Sequence, residues 1–285
     1  MLLKVLFLYL LSLLLKLFGF VVTGYLVLLA DAMHSVTDIA TIALLVYSAK
    51  VSLKPPDLSH PLGHELARNV ASLVAATAFI TVVAFELFKE GVSSILSPKT
   101  SYGDPFLAIV IEAFVLAILL LAVLVSSRGK GVLDKTVFVE SVNDSLSTIA
   151  AIAGIFLVSR GYPVFDGVVT ILIASMIFYN SLKLFKQNAR FLLGFSPPDE
   201  FYRKVKDVSL TFREVKGVHD MVAVYMGENN IHLDMHITVD GNMSIEKADE
   251  LSERLAKKLR EEIPEVKHVV IHICPHVGES MRKIL

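Results

Sequence analysis

The stretch DAMHSVTD, residues 31–38, places three ionisable side chains inside a long apolar run. His34 and Asp38 are four residues apart, so on a helix both project from one face, and Asp31 precedes them on the same stripe. Ionisable groups at the depth of a membrane span are costly and usually serve a function. An imidazole and a carboxylate on one face indicate ligands for a divalent metal cation.

A second apolar segment repeats this arrangement. In the sequence ESVND, Glu140 and Asp144 are four residues apart, with Asn143 beside them. If the two helices face each other, they present one imidazole and three carboxylates, a set that suits a tetrahedral divalent cation. The alternative is that each pair is satisfied locally, or that both segments are buried helices of a soluble protein. The repetition of the pattern favours the metal site.

Asp166 is the other acidic residue to weigh in these segments. It lies near the start of the last apolar segment. It is open to two interpretations, a residue at a helix start near the interface or a further functional group.

The loop sequence DLSHPLGH offers three more potential ligands, Asp57, His60 and His64. The alternative is a Pro/Gly turn with exposed histidines. The following letters, HELAR, begin like the zinc-protease signature HExxH, but Arg68 stands where the second histidine is required. With no nucleophile–base pair in evidence either, the sequence does not favour an enzyme.

The region after residue 195 is rich in histidine. It holds six of the nine histidines of the chain: His219, His232, His236, His268, His272 and His276. Alternation along a strand puts His232, Asp234 and His236 on one face. His268, His272 and Cys274 share a face of another strand in the same way. The alternative to metal binding here is a solvated polar sheet face.

The composition indicates a membrane protein. The chain has 285 residues, of which 54% are hydrophobic, and a mean hydropathy of +0.63. A helix of about 20 residues crosses the hydrocarbon core of a bilayer. Six segments approach this length with few charges: 2–24, 27–50, 68–95, 105–127, 135–159 and 163–187. The first resembles a signal peptide but lacks a cleavage site of small residues, so we expect a first helix.

The charges set the expected orientation and exclude some partners. The net charge of −1 gives no basic excess for nucleic acid, and the single cysteine excludes an internal disulfide. Basic residues concentrate in the loops on one side and mark the cytoplasmic face. They are Lys50, Lys54, Arg68, Arg128, Lys130, Lys135, Lys183, Lys186 and Arg190. We therefore expect both termini in the cytoplasm.

The last part of the chain reads as a separate α+β domain. DEFYRKVKDVSLTFREV predicts a helix, and two alternating segments joined by GENN predict a hairpin. A helix with Ser244 as N-cap and a third strand follow. The order α-β-β-α-β predicts a small sheet covered by two helices on one face. We therefore divide the chain into a transmembrane domain, 1–195, and a cytoplasmic domain, 196–285, for which metal binding and dimerisation follow only from the family resemblance given next.

Together these features resemble the cation diffusion facilitator family of divalent-metal/proton antiporters. The resemblance covers six spans and a ferredoxin-like, metallochaperone-like tail. It implies a transport site of His34, Asp38, Glu140 and Asp144, with Asp31 orienting His34 and Asn143 also in the outer shell. Glu140 departs from the family, in which His or Asp is more usual at this position.

The resemblance also implies metal sites outside the membrane. In the loop the ligands would be Asp57, His60 and His64. In the tail, His219, His236 and His272 match the usual ligands, and Asp249 and Cys274 occupy positions where His and Asp are common. His232 completes the predicted set of tail ligands.

The implied function is export of divalent metal from the cytoplasm in exchange for protons, by a homodimer in the plasma membrane. Zn²⁺ is the leading substrate, and Cd²⁺, Fe²⁺, Mn²⁺ and Co²⁺ are further candidates. Metal bound to the tail would regulate transport. Two alternatives stay open: a channel for divalent cations and a membrane-anchored metal sensor.

Overall fold

Long helices make up the amino-terminal two thirds of the chain in this computed structural model. The structure describes residues 2–52, 54–99, 101–127, 132–227 and 229–275. The helices of this part are α1 (Leu2–Thr23), α2 (Leu26–Ser52), α3 (Ala67–Ala78), α4 (Phe85–Leu96), α5 (Pro105–Ser126), α6 (Val132–Ser159) and α7 (Val164–Leu192).

Helices α3 and α4 form one rod, joined without a break by a π-helical segment, Phe79–Ala84. Five described stretches are long and apolar enough to cross a bilayer: Val5–Thr23, Ala67–Leu96, Pro105–Ser126, Phe138–Ser159 and Val164–Leu192. Helix α2, at 27 residues, is longer than a span requires and carries the ionisable DAMHSVTD stretch. With it the described chain has six rods, and the predicted class of membrane α-helical fold is confirmed.

The surface of this bundle is the reverse of that of a soluble protein. Large apolar side chains such as Phe7, Phe85 and Phe114 are about two-thirds exposed, whereas Lys16 and Asp31 are fully buried. A lipid-facing surface accepts the apolar side chains, and the polar groups must find partners inside.

Glycine allows two of the rods to touch. A Cβ atom on Gly167 of α7 would lie 2.5 Å from the carbonyl oxygen of Gly91 in α4. Such a distance is far inside van der Waals contact, so α4 and α7 pack backbone against backbone only because neither position has a side chain.

The carboxy-terminal part is the α-β-β-α-β domain that the sequence predicts. Its elements are α8 (Asp199–Leu210), β1 (Gly217–Gly227), β2 (Asn230–Val239), α9 (Ile245–Glu262) and β3 (Val266–Pro275). The strand order is β1-β2-β3, with β1 antiparallel and β3 parallel to β2. Ser244 caps α9 as predicted, accepting from the amide of Lys247.

One face of this sheet is apolar and covered by the two helices. Alternate β2 residues, including Leu233 and Met235, are buried with Leu251 and Leu255 of α9 and Val205 of α8. The period-2 alternation of β2 thus sends its intervening histidines to the opposite face.

The chain divides into two compact units. One unit comprises Met1–Tyr47 with Ala71–Lys186, and the other comprises Ser48–Val70 with Gln187–Leu285. The loop between α2 and α3 therefore groups with the carboxy-terminal domain, and the side-chain amide of Asn230 donates to Glu65 at 3.3 Å.

Candidate metal centres

Three of the predicted transport-site residues meet inside the helical bundle. His34 and Asp38 on α2 and Asp144 on α6 offer ligand atoms that all lie within 4.8 Å of one another, and all three side chains are buried. The Nε2 atom of His34 lies 3.8 Å from Oδ2 of Asp38, one helical turn away. The i, i+4 spacing has placed both groups on the face that meets α6.

Three polar atoms of this cluster on α2 lack hydrogen-bond partners among the described residues. Neither ring nitrogen of His34 nor Oδ2 of Asp38 has a hydrogen-bond partner among the described residues. Buried polar atoms left unpaired cost free energy, and buried polar groups are normally satisfied. An imidazole and carboxylates that converge with free lone pairs are chemically suited to a divalent cation.

The structure does not bring Glu140 into this cluster. Glu140 lies one turn before Asp144 on α6 and is half-buried, but its carboxylate is outside the group of atoms within 4.8 Å. Asn143, on the same helix, is also half-buried.

Asp144 has a partner that the sequence analysis missed. The ammonium of Lys16, on α1, lies 2.7 Å from Oδ1 of Asp144 and 3.0 Å from Oδ2 of Asp31, and all three side chains are fully buried. Lys16 also donates to the hydroxyl of Ser35 at 2.8 Å. The signal was visible as one lysine in the middle of the apolar segment LYLLSLLLKLFGF.

Asp31 contacts this lysine rather than the imidazole. Besides Lys16, it accepts hydrogen bonds from Ser147 and, at 2.9 Å, from Thr148, both on α6. The expectation that Asp31 orients His34 is not met, because neither ring nitrogen of His34 donates a hydrogen bond to Asp31 or has another partner among the described residues. Asp31 faces Lys16 and connects α2 to α1 through this lysine and to α6 through Ser147 and Thr148.

The two interpretations of Asp166 are settled by its contacts. Its carboxylate accepts from the backbone amides of Leu26 and Val27, at 3.0 and 2.9 Å, which are the first residues of α2. Free amides at a helix start attract an acidic group. Asp166 is thus a capping residue for α2, supplied by another helix.

The predicted loop ligands lie together. Oδ1 of Asp57 is 3.4 Å from Nδ1 of His60, and Oδ2 is 3.5 Å from Nε2 of His64. Asp57 also accepts hydrogen bonds from the backbone amides of His60 and Ser59. The bond from His60 is the main cause that lowers the pKa of the Asp57 carboxyl group. The turn therefore holds an ionised carboxylate beside two imidazoles.

A cluster of three ligands forms on the uncovered face of the carboxy-terminal sheet. His219, His236 and Cys274 come from β1, β2 and β3, and their ligand atoms lie within 4.8 Å of one another. The register places His219 opposite His236 across β1 and β2, and Cys274, which pairs with Thr238, lies two residues further along the same face. His272 pairs with His236 in turn, with ring centroids 4.6 Å apart.

Asp220 adds a carboxylate that the sequence did not mark. It adopts a positive φ of 48°, at an irregularity in β1, and its Oδ2 lies 3.0 Å from Nδ1 of His219. The hydrogen bond with His219 lowers the pKa of the Asp220 carboxyl group. The alternation of polar and apolar residues could not predict this irregularity in the strand, and so it did not indicate Asp220.

Two domain models match consecutive parts of the chain. The model described as "Cation efflux transmembrane domain" matches residues 2–193, and "Cation efflux protein, cytoplasmic domain" matches residues 197–276. The chain belongs to the cation diffusion facilitator family. As a member, it is a metal efflux transporter that crosses the membrane several times, and not an enzyme.

Similar proteins are spread over several organisms. The uncharacterized transporter MJ0449 of Methanocaldococcus jannaschii is 26% identical, over 86% of this chain and 87% of its own length. The manganese efflux system protein MneP of Bacillus subtilis is 24% identical, over 88% and 86%. The zinc transporter ZitB of Yersinia pseudotuberculosis is 27% identical, over 73% and 68%.

Two residues predicted as tail ligands, Asp249 from the family resemblance and His232 from strand alternation, lie outside the three-ligand cluster of this efflux protein. Asp249 is exposed on α9, which covers the opposite face of the sheet, so within one chain it does not reach the histidines. His232 pairs instead with His268, at 2.9 Å between their Nδ1 atoms. His276 lies outside the described residues.

Proposed function

We propose that this chain exports divalent metal cations from the cytoplasm in exchange for protons. The observation that carries the proposal is the convergence of His34, Asp38 and Asp144, buried, with unpaired polar atoms on α2. Glu140, one turn from Asp144, is proposed as the fourth ligand, and Asn143 as an outer-shell neighbour.

Proton exchange follows from the chemistry of the ligands. Imidazole and carboxylate bind a metal only in their deprotonated forms, so metal and protons compete for the same groups. A site that faces the two sides of the membrane in turn then couples metal movement to proton movement in the opposite direction. The proton gradient across the plasma membrane would drive export.

Zn²⁺ is the substrate we propose first. One imidazole with carboxylates fits tetrahedral zinc, and the similar protein ZitB is a zinc transporter. The same ligands also accept harder cations, and MneP is a manganese efflux protein. Cd²⁺, Fe²⁺, Mn²⁺ and Co²⁺ are therefore the competitors to include in a substrate test.

The sites outside the membrane are proposed to regulate transport. The loop residues Asp57, His60 and His64 form one candidate site. The sheet residues His219, His236 and Cys274, with His272 beside them, form another. We propose that the protein acts as a homodimer, with both termini in the cytoplasm as the basic loops indicate.

The test is flux into proteoliposomes that contain a metal-sensitive and a pH-sensitive dye. Metal entry driven by a Zn²⁺ gradient, with protons leaving the vesicle at the same time, supports the antiporter. Metal entry without proton movement contradicts it and favours a channel. An absence of flux for every metal, with metal still bound, contradicts it and favours a sensor.

A further inference from the structure

Three fully buried ionisable groups lie in the same bundle as the proposed metal ligands without being ligands themselves. They are Lys16 on α1, Asp31 on α2 and Glu112 on α5. Burying an ion inside a membrane protein is costly unless it is paired, so each of these groups requires an explanation.

Lys16 and Ser35 both hydrogen-bond to Asp144. The Lys16 ammonium lies 2.7 Å from Oδ1 of Asp144, and the Ser35 hydroxyl lies 3.0 and 3.2 Å from the two carboxylate oxygens. On the other side of the same site, His34 and Asp38 have unpaired atoms. His34 and Asp38 are thus available to a metal cation, whereas Asp144 already binds the ammonium of Lys16.

A divalent cation bound to all three ligands would meet the lysine ammonium at Asp144. Like charges a few ångströms apart repel strongly where water is excluded. The metal therefore either shares Asp144 at a loss of affinity or displaces the ammonium. Lysine has a flexible four-carbon stem, which allows its charged end to move while its helix stays in place.

The neighbourhood provides a place for the displaced ammonium. Asp31 already lies 3.0 Å from it. Glu112 is fully buried, and its main ionisable neighbours are Asp31, with which its carboxyl group shares a hydrogen bond, and Lys16. A buried carboxyl group that interacts with both Asp31 and Lys16 can serve as the second partner of the displaced ammonium.

We propose that Lys16 is a tethered cation that holds Asp144 until a divalent metal displaces its ammonium toward Asp31 and Glu112. The proposal rests on the proposed transport site. Lys16 is then a positioning residue that lowers metal affinity, and its return to Asp144 helps the metal to leave. Rapid release is what a transporter needs from a site that must load and unload in each cycle.

The first test is equilibrium binding of Zn²⁺ and of Mn²⁺ to the full-length protein in detergent at fixed pH. Binding that disappears in Asp38→Ala is assigned to the transport site. We expect Lys16→Met, which keeps much of the side-chain volume, to tighten this binding by about tenfold or more and to slow transport. A merely structural role of Lys16 would not raise affinity, so unchanged or weaker binding overturns the proposal.

Lys16→Met leaves buried acidic groups without a counter-charge and so could misfold. A charge-matched variant controls for this effect. Lys16→Met with Asp31→Asn removes one charge of each sign and keeps the net charge of the cluster. We expect the double variant to bind metal more tightly than Asp31→Asn alone, because removal of the Lys16 ammonium frees Asp144 whether or not Asp31 is charged. Equal binding in these two variants overturns the proposal.

The role of Glu112 is tested by a double-mutant cycle. Glu112→Gln is expected to weaken metal binding more in the protein with Lys16 than in the Lys16→Met background, where no ammonium needs a second partner. Equal weakening in both backgrounds would mean a simple charge effect and would remove Glu112 from the proposal. If instead Asp38→Ala leaves all binding intact, the transport-site assignment fails, and the inference about Lys16 fails with it.

Discussion

At the scale of single residues, the transport site combines groups that have unpaired atoms with a group that already has partners. His34 and Asp38 keep unpaired atoms, whereas Asp144 is held by Lys16 and Ser35. The open groups are those that a metal would contact first. Asp38 is therefore the residue whose charge is most directly testable.

We expect Asp38→Asn, which keeps the shape but removes the charge, to lower metal flux by about 100-fold or more. Even the outer partners of metal ligands are worth about 10- to 100-fold in affinity or activity. Flux into proteoliposomes, normalised to inserted protein, is the measurement. The control is Glu86→Gln, an exposed carboxylate of α4. Full activity in Asp38→Asn would contradict the assignment.

At the scale of elements, the helices are fixed by contacts that are distant in sequence. Asp166 of α7 caps the start of α2, the helix that carries His34 and Asp38. Gly91 and Gly167 let α4 and α7 touch. Both features position the site without taking part in it.

Asp166→Ala is expected to lower stability by about 1–3 kcal/mol, because two buried amides of α2 lose their acceptor. Thermal unfolding in detergent measures this loss. Asp104→Ala is the matched control, since Asp104 caps its own helix α5 at an exposed end, with a bond of 2.9 Å from Phe106. A loss no larger than in the control would argue against the capping role.

Gly167→Ala is expected to cost roughly 1–3 kcal/mol through overpacking, since the added Cβ meets the backbone of α4. The same thermal measurement applies. Gly217→Ala in β1 serves as control, because its Cβ would lie 3.5 Å from its nearest neighbour, an ordinary contact. Equal stability of the two variants would show that α4 and α7 are not in backbone contact.

The periodicity of the sequence was enough to predict much of this architecture. The i, i+4 pairs led to α2 and α6, and alternation led to the histidine face of β2. Contacts between distant residues could not be reached in this way. Lys16 stood alone in an apolar run, Asp166 finds its partners on another helix, and Asp249 was assigned by family position although its helix covers the other sheet face.

At the scale of the whole molecule, the two units carry different candidate sites. The helical unit holds the buried cluster, and the other unit holds the loop and sheet clusters. His236 is central in the sheet cluster, since it lies beside His219, His272 and Cys274. A regulatory site of this kind should change transport without abolishing it.

His236→Ala is expected to remove one metal per chain from the purified protein while leaving part of the transport activity. Metal content by mass spectrometry and flux into vesicles give the two readouts. The matched control is His268→Ala, which alters the separate pair with His232. Complete loss of transport in His236→Ala would mean that this site is essential, not regulatory.

The most direct test of the whole account is metal accumulation driven by a pH gradient alone. Vesicles hold the same Zn²⁺ concentration inside and outside, and one side is then made acidic. An antiporter moves protons toward the basic side, so Zn²⁺ should accumulate on the acidic side, and Asp38→Asn vesicles should show none. No accumulation, in vesicles that still pass Zn²⁺ down its own gradient, would contradict the exchange of metal for protons.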